Sequence, residues 1–329
     1  MLLAFQYQFA RPSGRWVLVI TLIGLSVVLV SCARLAAAEP QDAQVRQLVE
    51  QLESNVFSER QKAFLQLQQL GAKAIPGLRV AMQSTDRETA ARARFLVESY
   101  LLRDLTREFQ ELANTPEDKI DLEHGMWLIA RLVNPLCEKE PIQRELDKIA
   151  QQVRQALDGR DPKTTDPQVV VEILTRVLFV DLGFAGNTAR YHHPDNSSIE
   201  RVLATRKGLP ILVSHVVVSV AERARIPIVG LAIPGRYMAK YDGDHAPVGF
   251  PKADVLIDPF GGRLIQEDDI HRMVFGFDPQ VHLQPSAKLP TLVRMMTNLE
   301  SHFRDVGKGR QAELTAKFRQ PLAAKLPEQ

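Results

Sequence analysis

The sequence predicts an α+β protein: a helix-rich N-terminal part leads into a buried helix packed on a small antiparallel sheet. Three observations carry this expectation. Apolar residues recur at helical spacing from about residue 45 to residue 178. The segment ILVSHVVVSVAERA, Ile211 to Ala224, is apolar almost throughout. Its valines favour a strand, but fourteen unbroken residues ending in Ala-Glu-Arg-Ala exceed a strand's usual length, and length decides for helix. Finally, Ile228–Ile233, Tyr237–Tyr241 and Val255–Ile257 are short strand-type runs, separated by the turn signals Pro234-Gly235 and Asp242-Gly243. One buried helix against such runs makes the α+β arrangement.

The elements follow in order. Val45, Leu48, Val49 and Leu52 form one helical stripe, and Ala63, Phe64, Leu67 and Leu70 a second, stopped by Gly71. Ile75, Leu78 and Met82 begin a third helix, with Pro76 tolerable in its first turn. Asp86 is placed to cap a fourth, through Ala93, Val97 and Leu101. The run FSERQKAFLQLQQLGAKAIPGLRVAMQSTDRETAARARFLV resembles a HEAT-type helical repeat, about one and a half repeats long. Leu122–Ala130, Ile142–Val153 and Val170–Leu178 continue the helical pattern. After the strand-type runs, Glu267–Met273, Leu292–Phe303 and Ala312–Leu326 read as helices.

The N-terminus reads as a targeting segment. Arg11 and Arg15 precede fifteen uncharged, mostly apolar residues, Trp16 to Val30. That is short for a helix that must span about 30 Å of hydrocarbon, and it fits a secretory signal. Leu29-Val30-Ser31-Cys32 resembles a bacterial lipobox, with Cys32 the lipidation candidate, while Ala36-Ala37-Ala38 offers an ordinary cleavage site. Either way the folded part is expected outside the cytoplasm, in the cell envelope or periplasm, with a membrane anchor if Cys32 is modified. The expected division is 1–38 signal, 39–105 HEAT-like hairpins, 106–300 the domain containing the buried helix, and 301–329 a C-terminal helix and tail.

Composition excludes several classes. A net charge of +2 over 329 residues, with no long basic tract, gives nucleic-acid binding little electrostatic support. Two cysteines, Cys32 and Cys137, make neither a disulfide framework nor a zinc site. His192, His193, His215 and His245 match no metal-ligand spacing, and Ser214 and His215, adjacent on a helix, do not face each other. No cofactor and no metal are expected.

Glycine, proline and asparagine crowd the stretch from Leu178 to Gly262, the punctuation of a loop-built site on a rigid frame. Its motifs are Gly183-Phe184-Ala185-Gly186-Asn187, Tyr191-x-x-Pro194-x-Asn196-Ser197, Arg206-x-Gly208-x-Pro210, Pro234-Gly235-Arg236-Tyr237 and Ile257-Asp258-Pro259-Phe260-Gly261-Gly262. In order and spacing they resemble the bacterial SirB-type family, whose core is transglutaminase-like and related to papain-fold cysteine enzymes. The resemblance covers roughly residues 115–300. It implies a triad: a cysteine at the start of the buried helix, a histidine and an aspartate on the following strands. There the thiolate attacks, the imidazole shuttles the proton and the carboxylate orients the imidazole. Matched residue by residue, Pro210 stands at the nucleophile's place and Arg236 at the histidine's, while Asp258 keeps the aspartate's.

Proline carries no nucleophile, and arginine stays protonated near neutrality and takes no proton. No catalytic residue is therefore expected, and the chain reads as a binding or regulatory module with a protein or peptide partner. The alternatives are a hydrolase or transferase reusing Asp258, and an envelope scaffold acting through the HEAT-like helices. Tyr191, Asn196, Arg206, Arg236 and Asp258 are the candidate pocket residues. Arg236 and Asp258 either close on each other as an ion pair or leave the arginine open to a carboxylate or phosphate. Asn196 and Arg206 either brace their loops or line the pocket.

Overall fold

The computed structural model describes residues 40–326. The expected signal segment and Cys32 lie outside the described residues. None of the described helices is long and apolar enough to cross a membrane. By its contacts the chain divides into two compact units, 1–100 and 101–329.

In the first unit, α1 (Pro40–Leu52), α2 (Phe57–Leu70), α3 (Ile75–Ala81) and the first half of α4 (Arg87–Ala113) pack as helical hairpins. Their buried residues are those of the sequence stripes: Val45, Leu48, Leu52, Ala63, Leu67, Leu78, Ala93 and Val97. Two buried side chains tie the helices together, Thr89 donating to the Leu52 carbonyl at 3.1 Å and Tyr100 to the Leu67 carbonyl at 2.7 Å. Asp86 accepts from the Thr89 N–H at 2.8 Å, as an N-cap should. The boundaries expected at 105 and 300 both fall inside helices, in α4 and in α12 (Lys288–Asp305). Neither position carries a glycine or proline to stop the helix, so apolar periodicity runs straight through.

The second unit is built around α9 (Pro210–Arg223), following α5 (Leu122–Val133), α6 (Lys139–Ala156), α7 (Pro167–Thr175) and α8 (Ile199–Thr205). Ten residues of α9 are buried, on nearly every side. That explains how a valine-rich segment stays helical: burial outweighs the few tenths of a kcal/mol per residue that β-branching costs. The sheet is antiparallel in the order β3 (Ile228–Ile233), β4 (Arg236–Tyr241), β5 (Val255–Asp258), β6 (Arg263–Ile265). Strand alternation gives it two apolar faces. Tyr237, Ala239, Tyr241 and Ile257 join the core around α9. Leu231, Ile233, Met238, Leu256 and Ile265 join a second core with Ile270 of α10 (Glu267–Met273), with Phe277, and with Leu283, which follows α11 (Pro279–His282). α12 and α13 (Gly309–Ala323) complete the unit.

Two features go beyond the sequence reading. β6 was hidden behind Gly261-Gly262, and a two-residue parallel pair, β1 (Ala185–Gly186) with β2 (Lys207–Gly208), joins segments that sequence periodicity cannot pair.

Candidate functional site

The start of α9 is set by its loops. Pro210 occupies the first turn, where its missing N–H costs nothing, and Leu209 donates its N–H to the Asn196 carbonyl at 3.1 Å. Asn196 itself is buried. Its side-chain amide donates to the carbonyls of Tyr191 (3.0 Å) and Arg190 (2.5 Å), and its Oδ1 accepts from Asn187 at 2.9 Å. The Asn187 N–H reaches the Gly208 carbonyl at 3.0 Å. Asn196 thus links three motif loops, two through its side chain and the third through its carbonyl, and fixes where Pro210 begins the helix. Asn196 does not line the cleft described below.

Opposite, the Asp258-Pro259-Phe260 turn docks on the Gly183–Asn187 loop. The Gly186 N–H donates to the Phe260 carbonyl at 3.0 Å, and a β-carbon on Gly186 would fall 2.2 Å from the Phe260 ring. Only glycine permits that approach. The tight β3–β4 turn is made by Pro234 and Gly235, the latter at φ 69°. It is clamped by Arg294 of α12, whose guanidinium donates to the carbonyls of Arg236 (2.8 Å) and Ile233 (3.4 Å) and lies 5.7 Å from the centre of the Tyr237 ring.

These pieces enclose a cleft of about 210 Å³. The α9 start and the hairpin contribute Pro210, Gly235, Arg236, Tyr237 and Met238; the loops contribute Tyr191, Asp258 and Phe260. The fold therefore brings together Pro210, Arg236 and Asp258, the three positions matched to a triad, along with Tyr191. Among the described residues no cysteine, serine, threonine or histidine lines the cleft.

Of the two arrangements left open for Arg236 and Asp258, the ion pair is not formed. Asp258 is 6% exposed; it accepts from the Gly261 N–H at 3.1 Å, and its nearest cation is Arg263 Nε at 4.0 Å. The register explains this. Asp258 sits opposite Arg263 on β6, while the β4–β5 pairing, extended by one step, sets it beside Met238 and leaves Arg236 two residues further along. The half-buried Arg236 guanidinium has no hydrogen bond or ion pair among the described residues. Arg206 does not line the cleft either. It ends α8 in the left-handed conformation (φ 61°), lies 4.8 Å from the centre of the Phe184 ring and pairs with Glu145 of α6.

Other reactive groups are placed elsewhere. Cys137 is buried, and burial together with the neighbouring Glu200 pushes its thiol up to about 12. Ser214 donates to the Tyr237 carbonyl at 3.2 Å, and His215 meets the Tyr237 hydroxyl at 3.0 Å, so the two do not act on each other. Burial holds His215 down to about 3. His192 pairs with Asp305 and His245 with Asp242. Among the described residues no group of three or more ligands stands ready for a metal ion. Sequence reasoning missed Arg294, Met238 and Phe260 as parts of the site. Phe260 stood inside a recognised motif, and the segment Leu292–Leu299 also fits the family resemblance, but nothing local showed that Arg294 reaches the hairpin, 58 residues earlier in the chain.

Chemically, the arrangement offers hydrogen-bond donors and positive charge at one end, a carboxylate at the other, and aromatic walls between. Residues 140–300, which hold every cleft residue, match the family model described as the transglutaminase-like superfamily. A UPF0162 protein of Xylella fastidiosa (strain 9a5c) is 30% identical over 138 residues, 39% of this chain and 47% of that protein. A UPF0162 protein of Vibrio cholerae is 22% identical over 173 residues, 52% of this chain and 58% of that protein. The human F-box only protein 21 is 26% identical over 144 residues, 38% of this chain and 23% of that protein. The chain spans about half the length of the bacterial curated relatives it matches. No solved structure matches it. The α+β unit that carries the cleft contains a transglutaminase-like domain.

Proposed function

We propose that this chain is an exported, non-catalytic binding module that uses the cleft of a transglutaminase-like domain of the SirB type. The observation that supports this reading best is the cleft's lining. Pro210 begins α9 where the resemblance puts a nucleophile, and Arg236 occupies the base's position. Neither residue attacks or accepts a proton, and Cys137, buried with its thiol held up to about 12, supplies no thiolate at neutral pH. A hydrolase built on Asp258 requires a second titratable group within about 3.2 Å, directly or through one water. The nearest cationic atom among the described residues is Arg263 Nε at 4.0 Å, and an arginine takes no proton near neutrality, which does not favour that reading.

The test is turnover. Incubation with amide and peptide substrates and with a thiol-trapping probe is expected to give nothing above background, with Cys137 labelled only after unfolding. Turnover that survives Cys137→Ala but disappears in Asp258→Ala would overturn the reading. Export and lipidation are tested separately, by intact mass of the mature protein: a diacylated Cys32 at its N-terminus, or cleavage before Glu39, is expected.

A second reading, a scaffold acting through the HEAT-like hairpins, is favoured by an apolar groove in the first unit. Phe95 is exposed there and Phe64 stacks on it at 6.2 Å, while Phe57 is exposed elsewhere on the same unit. Because residue 105 lies inside α4, surface substitutions test this better than deletion. Phe57→Ser with Phe95→Ser should abolish partner capture from envelope extracts if the helices do the binding, and leave it intact if the cleft does.

A further inference from the structure

We infer that the cleft recognises the free carboxylate end of a peptide, held by Arg236 and checked by Asp258. The inference rests on the reading of the cleft as a binding site and names what it binds.

Three observations converge on an anionic group. Arg236 is half-buried in the cleft wall and has no partner among the described residues, so its donors are available to a ligand. Arg294, behind it, adds a second guanidinium that no carboxylate among the described residues neutralises, since its hydrogen bonds go to the carbonyls of Ile233 and Arg236. The first turn of the fourteen-residue α9 opens on the same cleft at Pro210, and a helix N-terminus favours negative charge. Arginine's planar fork matches an oxyanion in two parallel hydrogen bonds, where a lone lysine would not.

Asp258 decides which anion. A phosphate carries about −1.5 to −2 charges and presents acceptors to every side, so it would meet the Asp258 carboxylate with repulsion. A peptide C-terminus carries a single charge and, on the adjoining Cα, an amide N–H. The carboxylate goes to Arg236 and the N–H to Asp258, which already accepts from Gly261 and has acceptor capacity left. The strand geometry allows both contacts. Arg236 and Asp258 are diagonal neighbours across β4 and β5, a spacing of about 7–8 Å, and the long arginine side chain closes the remainder.

Size argues the same way. At about 210 Å³ the cleft falls below the roughly 300–1,000 Å³ that house whole small ligands. It suits one terminal residue, whose side chain would lie against the Tyr191 and Phe260 rings, set 6.1 Å apart and edge to face.

The experiment is calorimetric titration of the full chain with N-acetyl-Ala-Phe as the free acid, with its C-terminal amide and with inorganic phosphate, repeated on Arg236→Gln. The free acid is expected to bind. The amide and phosphate are expected to bind about tenfold more weakly or worse, the worth of one charge-assisted contact. Arg236→Gln is expected to bring the acid down to the amide's level. Equal affinity for acid and amide, no binding of the acid, or phosphate binding as tightly as the acid would each overturn the inference. The comparison of acid with amide is made in the unsubstituted protein, so it holds even if the variant misfolds. Mass spectra of the same samples separate the two readings. Hydrolysis of the amide would overturn the non-catalytic reading, whereas equal affinities without turnover overturn only carboxylate recognition.

Discussion

Arg236 and Tyr237 are consecutive residues of β4, and their polar atoms are housed in opposite ways. Tyr237 turns its ring into the core beside α9, and its hydroxyl meets His215 (3.0 Å), Thr291 (3.2 Å) and Ser286. Gly230 on β3 leaves room for that hydroxyl, since a β-carbon there would lie 2.7 Å from it. One strand, one buried helix and the start of α12 are locked at a single atom. Arg236, one residue earlier, holds a guanidinium with no partner among the described residues, while its own carbonyl is fixed by Arg294. A buried polar group left unpaired costs about 1–3 kcal/mol, so the core side of the strand is fully paired at the hydroxyl. A half-buried arginine that still reaches water bears no such cost, and the fold can leave it open to a ligand. The Tyr237 hydroxyl is a structural group shared by three elements; the Arg236 guanidinium lies open at the cleft.

Three changes would break or sharpen that contrast. The largest effect is expected from Tyr237→Ala, which empties a fully buried aromatic site and leaves His215 and Thr291 without their shared partner. A loss of about 3–5 kcal/mol in denaturant unfolding is expected, and a loss under about 1 kcal/mol would remove the hydroxyl from its structural role.

A middle effect is expected from pH. Burial lowers His215 from 6.5 to about 3 in the fold, so below pH 6.5 the unfolded chain binds a proton that the folded chain refuses. The stability this residue contributes is complete above about pH 6.5 and is lost as pH falls towards 3. The native protein should therefore lose about 2 kcal/mol more between pH 7 and pH 5 than His215→Gln, which can still reach the Tyr237 hydroxyl but does not titrate. Parallel pH profiles for the two proteins would count against a neutral, buried imidazole.

The smallest effect on stability is expected at the site itself. Arg236→Gln should change unfolding free energy by less than about 0.5 kcal/mol, because no described contact is lost. A cost above about 2 kcal/mol would show that the guanidinium is a structural group after all.

Much of this was legible in the sequence for definable reasons. The helix Pro210–Arg223 was readable from its length despite its valines, and β3, β4 and β5 from the turn residues between them, because these are local properties of the chain. Asp258 was singled out through the family resemblance, as the aspartate of the motif Ile257-Asp258-Pro259-Phe260-Gly261-Gly262. Arg206 was not readable as peripheral. Its motif placed it near Pro210, but its left-handed backbone and the distant Glu145 turn it away from the cleft.

By itself, then, the sequence determined the elements that carry Pro210, Arg236 and Asp258, the three residues its family resemblance singled out. Side-chain chemistry and local periodicity need no tertiary information. Only the tertiary structure decided how those residues face one another. The β4–β5–β6 register sets Asp258 against Arg263 and Met238, and Arg294 reaches in from a helix far along the chain to clamp the hairpin. A one-residue difference in register would reverse every facing across the sheet. That is why an ion pair plausible from the sequence gave way, in the fold, to an open arginine.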